Sequence, residues 1–260
     1  MEYEGLIYRI EDGIARLTFN RPEKLNAFTP SMYMTLIEIF EDVAMNEDAR
    51  VLVVTGTGRA FCVGADVKTL EEGFAGKERA ARTDSGKILT LLLQKMSKPV
   101  IAAINGVTAG GGFEIACASD IRIASEKATF SSIFVRRGLL PTLGGTYFLP
   151  RLIGIDRACE LIWTGDLIDA REAERIGLVT RVVPHDELEA ATGELAEKLV
   201  KGPPLAISRA KEAIYKGLSM DLESAVHDVL REVAVLGQTE DHREAVNAFL
   251  QKRAPVFKGR

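Results

Sequence analysis

The chain has 260 residues, of which 47% are hydrophobic and 27% are charged, and its formal net charge is −4. This composition is that of a globular protein long enough to bury a large core, and it indicates one large domain or a core with a smaller appendage. The negative net charge argues against a nucleic acid or an anionic membrane surface as the partner.

The first half of the chain alternates predicted strands and helices. Two strands, at residues 6–10 and 14–19, flank a turn at residues 11–13, and a helix begins near Pro30 and runs to about residue 43. Further strands are predicted at 51–54, 99–104 and 121–124, and further helices at 88–96 and 114–118. Because continuous apolar strands alternate with helices, the pattern indicates an α/β fold with a buried parallel sheet.

The second half is predicted to be almost wholly helical beyond about residue 151, with one strand at 179–183. Its last helices carry apolar residues at 3.6-residue spacing, and such a helical tail often docks on a neighbouring subunit. We therefore divide the chain into a core at residues 1–195 and a C-terminal helical region at 196–260. The helices are predicted at 155–163, 169–176, 186–200, 203–216, 220–236 and 240–250.

Two segments share one design, in which a buried strand leads into a glycine-bearing loop and then a helix start. They are residues 51–66 and 100–114. Helix N-termini present unpaired N–H donors, glycine lets a ligand approach the backbone, and two converging N–H groups form an oxyanion hole. A tight turn with close helix packing also explains the second loop. The first loop does not match the glycine motif of dinucleotide-binding proteins, since Phe61 stands where the third glycine is needed.

Short motifs along nearly the whole chain together resemble the crotonase family, also called the enoyl-CoA hydratase/isomerase superfamily. Each motif is weak alone, but their order and spacing are specific. They are residues 20–27 (NRPEKLNA), 58–66 (GRAFCVGAD), 98–106 (KPVIAAING), 109–114 (AGGGFE), 164–170 (TGDLIDA) and 248–253 (AFLQKR).

The resemblance implies a spiral of ββα units with a C-terminal helical trimerisation region, assembled as trimers that often pair into hexamers. It implies an acyl-CoA thioester substrate, no separate cofactor and no metal. Oxyanion N–H groups are implied at Ala65 and Gly111, and Lys252 would reach the CoA phosphates of an adjacent subunit. The implied substrate and CoA contacts are Lys24, Leu25, Ala65, Asp66, Val67, Lys68, Gly111, Phe134 and Lys252. Surface lysines in water explain Lys24 and Lys252 equally well.

The proposed chemistry needs a group that moves a proton next to the polarised thioester. The resemblance puts Glu114 at the position of the family's first catalytic glutamate, three residues after Gly111. The alternative is an acid at a helix N-terminus that only complements the helix dipole.

The family's second glutamate is absent. Phe134 aligns with its position, no Asp or Glu occurs from residue 127 to 155, and Thr142 stands where some relatives carry an aspartate. We predict hydration of a 2-enoyl-CoA by Glu114. Double-bond isomerisation, decarboxylation or thioester hydrolysis on the same scaffold, and acyl-CoA binding without turnover, stay open. Acids that would substitute for the missing one are Glu71, Glu72, Glu78 and Asp84, in or beside the charged segment 68–82 that we expect to be mobile.

Other reactive side chains have simpler explanations. The three cysteines form no CxxC pair and indicate a reduced, cytoplasmic protein in which Cys62 packs as a small apolar residue. Ser131 and Ser132 lack a nearby histidine. Arg136 and Arg137 are either a surface pair or a contact for the acyl end. The histidines, at 185, 227 and 242, lack metal-ligand spacing and are predicted to be solvated. Neither a signal peptide nor a membrane span is predicted.

Overall fold

Two sheets organise the protein in the computed structural model, which describes residues 2–66 and 84–260. The strands are Glu2–Tyr3 (β1), Leu6–Glu11 (β2), Ile14–Phe19 (β3), Val51–Gly56 (β4), Ala60–Cys62 (β5), Val100–Ile104 (β6), Val107–Ala109 (β7), Ile121–Ser125 (β8), Thr129–Ser131 (β9), Ile168–Asp169 (β10) and Arg181–Val183 (β11).

Helices pack on both sheets and continue into the C-terminal region. They are Pro30–Met45 (α1), Leu89–Lys95 (α2), Gly110–Ala118 (α3), Gly145–Ile153 (α4), Ile155–Thr164 (α5), Ala170–Arg175 (α6), Leu188–Val200 (α7), Pro204–Gly217 (α8), Leu222–Leu236 (α9) and Glu240–Leu250 (α10). Helix α1 starts as its sequence predicts, because Thr29 accepts the N–H of Met32 and Pro30 needs no acceptor in the first turn.

The strand order explains how the chain winds. The larger sheet has the order β1-β2-β3-β4-β6-β8-β11, with an antiparallel hairpin at one edge and parallel pairing from β3 onward. The smaller sheet has the order β10-β9-β7-β5. Consecutive strands β4 and β5, β6 and β7, and β8 and β9 therefore enter different sheets. This winding confirms the predicted ββα spiral.

Three features differ from the sequence prediction. Strands β1, β5, β7, β9 and β10 were not predicted, since two or three residues are too few to show a period. Helix α4 was also missed, because Gly145 and Pro150 are poor helix formers. The predicted start of α3 at Glu114 is wrong: this helix begins at Gly110, where tertiary contacts override the low helix propensity of glycine.

The larger sheet is buried on both faces, which is why its strands read as continuous apolar runs. Phe19, Tyr33 and Phe40 belong to the main core, between the sheet and α1. On the other face, Leu188 and Ala196 of α7 pack over Val53, Ile101 and neighbouring side chains. The predicted boundary between residues 195 and 196 falls within α7, and the division into two regions stays a prediction. Among the described residues, no helix is both long and apolar enough to cross a membrane.

A buried ion pair fastens α8 to the end of the larger sheet. The ammonium group of Lys211, 8% exposed, lies 2.7 Å from the Asp120 carboxylate and also donates to the carbonyl oxygens of Leu93 and Lys98. Tyr215 donates its hydroxyl to the other Asp120 oxygen, at 2.7 Å. Burial lowers the pKa of Lys211, and the adjacent Asp120 opposes that shift.

Replacement of Lys211 by Met is therefore expected to lower the free energy of unfolding by about 3 kcal/mol, because it leaves the Asp120 carboxylate without its cation. Chemical denaturation measures the loss. The control is Lys198→Met, which removes an exposed i,i+4 pair with Glu194 and should change stability far less. Equal losses of stability from the two substitutions would contradict the stabilising role of the ion pair between Lys211 and Asp120.

Candidate active site

The two glycine loops of the sequence lie against each other, backbone to backbone. A Cβ atom built on Gly64 would lie 2.6 Å from the amide nitrogen of Gly111, and one built on Gly112 would lie 2.2 Å from the carbonyl oxygen of Cys62. Gly64 and Gly110 also have positive φ angles of 87° and 52°. Only glycine satisfies these conditions, so the loops carry glycines because they touch.

The backbone around Ala65 and Gly111 determines which amides are available. Phe28 donates its N–H to the Gly64 carbonyl and accepts from the N–H of Asp66, so the intervening N–H of Ala65 faces away from Phe28. Gly111 is the second residue of α3, where backbone N–H groups have no acceptor within the helix. From the contact of Gly64 with Gly111 and standard bond lengths, the two amide nitrogens lie within about 6 Å of each other.

Glu114 is fully buried on α3, and backbone amides fix its carboxylate. Its Oε1 atom accepts the N–H of Leu143 at 2.8 Å and the N–H of Gly145 at 2.7 Å. Gly145 is the first residue of α4, so the carboxylate lies at the positive end of that helix. Since Glu114 is the fifth residue of α3, the helix dipole that its carboxylate complements is that of α4 and not that of its own helix.

A cavity of about 750 Å³ borders the glycine loops at Val63, Ala65 and Ala109. Lys24, Leu25 and Asp66, predicted as CoA contacts, line it together with Ala65. Its other charged lining residues are Arg21, Glu23, Arg59, Arg136 and Arg137. Basic side chains therefore outnumber acidic ones along this cavity, and Arg136 and Arg137, left open by the sequence, belong to its lining.

Arg21 and Asn26 are residues that sequence reasoning missed, although both belong to the first motif. The Arg21 guanidinium lies 3.1 Å from the Asp66 carboxylate and donates to the Ala27 carbonyl at 2.7 Å. Asn26 is buried and donates to the carbonyl oxygens of Thr57 and Ala60. These bonds tie the loop around Lys24 to the first glycine loop.

Four other residues predicted for the site do not line this cavity within one chain: Gly111, Glu114, Phe134 and Lys252. Phe134 is half-buried in a short 3₁₀ helix, Ile133–Arg137. Lys252 is exposed just after α10, with a φ of 53°. Asp84 is exposed and caps a short helix by accepting the N–H of Gly86. The other predicted residues lie outside the described part of the chain. They are Val67, Lys68, Glu71, Glu72 and Glu78, and the segment 68–82 that is expected to be mobile lies there too.

Other candidate side chains have structural roles. Burial raises the pKa of the Cys62 thiol to about 12, and its Sγ accepts the N–H of Gly64, which favours packing over a nucleophilic role. His185, predicted to be solvated, is instead half-buried, with its Nδ1 2.9 Å from the Ser125 hydroxyl. Among residues 2–66 and 84–260, no cluster of three or more His, Cys, Asp or Glu side chains is arranged to hold a metal ion.

Comparison with known proteins matches nearly the whole chain. Residues 9–260 match the family model described as enoyl-CoA hydratase/isomerase. The chain is 38% identical to the crotonyl-CoA hydratase of Syntrophomonas wolfei and 36% identical to the 1,2-epoxyphenylacetyl-CoA isomerase of Escherichia coli, with 99% of both chains covered in each case. The crystal structure of enoyl-CoA hydratase from Bacillus anthracis has a TM-score of 0.90 at 35% identity, covering 98% of this chain and 100% of that one.

Substitution of Gly112 by Ala should destabilise the protein by at least about 2 kcal/mol, because the new Cβ would overlap the Cys62 carbonyl. Thermal and chemical unfolding measure the effect. Gly193→Ala in α7 is the matched control: nothing lies within 4 Å of its Cβ position, and alanine there should stabilise the helix by about 1 kcal/mol. A neutral Gly112→Ala substitution would show that the loops do not depend on this contact.

Proposed function

Because the chain belongs to the enoyl-CoA hydratase/isomerase family and is an enzyme of this type, we propose that it hydrates the double bond of a 2-enoyl-CoA, with Glu114 as the group that moves the proton. The observation that carries this proposal is the position of Glu114. It is buried, held by two backbone amides, and three residues beyond Gly111 on one helix.

The spacing on α3 suits proton transfer next to a polarised carbonyl. Residues three apart lie on the same face of a helix and about 4.5 Å apart along its axis. A thioester oxygen bonded to the Gly111 N–H would therefore leave the adjacent carbon atoms of the acyl group within reach of Glu114. General acid–base catalysis by a group so placed typically contributes about 100-fold or more.

The amides of Ala65 and Gly111 are the proposed oxyanion hole. Both N–H groups are released from the usual backbone pairing by their local geometry, and the close contact of the two loops keeps them near one another. Negative charge that gathers on the thioester oxygen would meet two fixed dipoles. Removing one such donor typically costs about 100-fold or more in rate.

The excess of basic side chains along the cavity suits the phosphate groups of coenzyme A. Lys24, Arg59 and Arg137 are exposed along it. Asp66 pairs with Arg21, so its proposed contribution to CoA binding is to hold the loop in place. Coenzyme A enters as part of the substrate, and the proposal needs no separate cofactor. Val67, Lys68 and Phe134 remain proposed contacts on the strength of the family motif.

The second candidate function is double-bond isomerisation, and the residue that favours it is Phe134. An aromatic side chain at the position of the second family glutamate cannot orient or deprotonate water. A 1,2-epoxyphenylacetyl-CoA isomerase is 36% identical over 99% of this chain, so its relatives include isomerases, and moving a double bond requires only that a proton be transferred. A single carboxylate that removes and returns a proton would be enough for such a reaction.

Substitution of Glu114 by Gln is expected to lower turnover at least about 100-fold while CoA affinity stays near that of the wild type, because the amide keeps the shape but not the basicity of the carboxylate. Loss of the conjugated thioester absorbance of crotonyl-CoA measures turnover, and calorimetry measures CoA binding. Glu189→Gln, on the exposed face of α7, is the control. Wild-type turnover by Glu114→Gln would remove Glu114 from the mechanism.

Assay in ¹⁸O-labelled water separates the two candidate reactions. A hydratase places the label in the product hydroxyl, whereas an isomerase moves the double bond of a 3-enoyl-CoA and incorporates no oxygen. If the protein shows neither of these activities but releases carbon dioxide from methylmalonyl-CoA, both candidate functions are wrong and the protein is a decarboxylase.

We further propose that the protein assembles as a trimer, or as a pair of trimers, through its C-terminal helices. None of the residues of α9 is buried within the chain. An exposed stripe on one face of α9 consists of Leu222, Val226, Val229, Leu230 and Val233, each 42–81% exposed. An unpaired apolar stripe of this kind marks a protein interface. Lys252, exposed just beyond α10, would then contact the CoA bound to a neighbour.

The double substitution Val229→Lys and Val233→Lys should dissociate the assembly, because it puts two charges into the apolar stripe. Light scattering after size-exclusion chromatography gives the molar mass. His227→Lys adds a charge to the same helix outside the stripe and should leave the mass unchanged. A wild-type protein that is monomeric at micromolar concentration would contradict the proposed assembly.

A further inference from the structure

The turn at residues 143–145, whose amides bind Glu114, is itself hydrogen-bonded to Thr90 of helix α2. The two amides that donate to Glu114 belong to the peptide units before Leu143 and after Gly144. Between them lies the peptide unit that joins Leu143 to Gly144. Its carbonyl oxygen accepts a hydrogen bond from the hydroxyl of Thr90, at 2.5 Å.

This turn cannot be made more rigid by a different residue at position 144. Gly144 has a φ of 96°, and a Cβ atom there would lie 2.9 Å from the Phe148 ring, so the position must remain glycine. Glycine rotates more freely than any other residue, and a turn built on it needs an external constraint. Thr90 supplies one, because its hydroxyl fixes the orientation of the central peptide, which lies between the two amides that bind Glu114.

Thr90 is well anchored for this task. It is 1% exposed, and its neighbours Leu89 and Leu93 on α2 are fully buried in the core. Thr90 is the second residue of α2, so this helix contains no carbonyl one turn earlier that could accept its hydroxyl. The hydroxyl of Thr90 instead crosses to a carbonyl 53 residues away.

We propose that Thr90 is a positioning residue for the reaction, which sets the Leu143–Gly145 turn so that its two amides hold the Glu114 carboxylate in place. This inference rests on the proposed role of Glu114, and Thr90 lies outside the family motifs named above. It predicts that the Thr90 hydroxyl affects turnover without touching the substrate.

The test compares Thr90→Ser with Thr90→Ala, since both lose the same methyl group and differ only in the hydroxyl. Thr90→Ala should lower kcat by about tenfold or more with little change in KM, because misplacement of a catalytic group by a fraction of an ångström is costly. Thr90→Ser should restore kcat. The acidic limb of the kcat profile should also move to higher pH in Thr90→Ala, since amides that no longer point at the carboxylate stabilise its charge less.

Thr192→Val is the control for a buried threonine. Thr192 is 1% exposed, and its hydroxyl has no hydrogen-bond partner in the described part of the chain. This variant should keep the kcat and pH profile of the wild type. Equal kcat values and pH profiles for Thr90→Ala and Thr90→Ser, with Glu114→Gln inactive, would overturn the inference. An active Glu114→Gln enzyme would instead overturn the proposed function.

Discussion

Direct contact between the backbones of two loops is the constraint on which the site depends. A Cβ atom on Gly64 or Gly112 would overlap the backbone of the opposite loop, so the loops can approach this closely only because these positions are glycine. Each glycine in a helix lowers its stability by roughly 1 kcal/mol relative to alanine, so the glycines destabilise the first turn of α3. In return, this contact brings the amides of Ala65 and Gly111 near one another and fixes the start of the helix that carries Glu114.

Helix α3 is anchored along its whole length. Every one of its residues is buried, and Glu114 is joined to the turn before α4. At the other end, the buried guanidinium of Arg122 donates to the Leu178 carbonyl at 2.8 Å and to the Ser119 carbonyl at the end of α3. Burial lowers the pKa of Arg122, and these carbonyl acceptors bind its Nε and Nη1 groups. A helix held at both ends gives the proposed catalytic groups a fixed separation.

The C-terminal helices have a different physical character from the core. Helix α7 closes one face of the larger sheet, and the pair of Lys211 and Asp120 fastens α8 to it. Helix α9, in contrast, leaves its apolar stripe exposed. The cavity beside the glycine loops is lined by residues of the core alone. The proposed assembly would therefore add contacts such as Lys252 to a site whose central parts one chain already supplies.

The sequence alone was sufficient for the hairpin β2–β3, the buried strands β4, β6 and β8, and the C-terminal helices, because periodicity and capping are local signals. Its motifs also identified the glycine loops and Glu114. Other features could be identified only in the tertiary structure. They are the smaller sheet, the start of α3, the pair of Arg21 with Asp66, and the bond from Thr90 to Leu143. Strands of two or three residues show no period, glycine opposes helix formation locally, and each of these contacts joins residues tens of positions apart. Such features form only because distant segments pack together, and no local pattern records that packing.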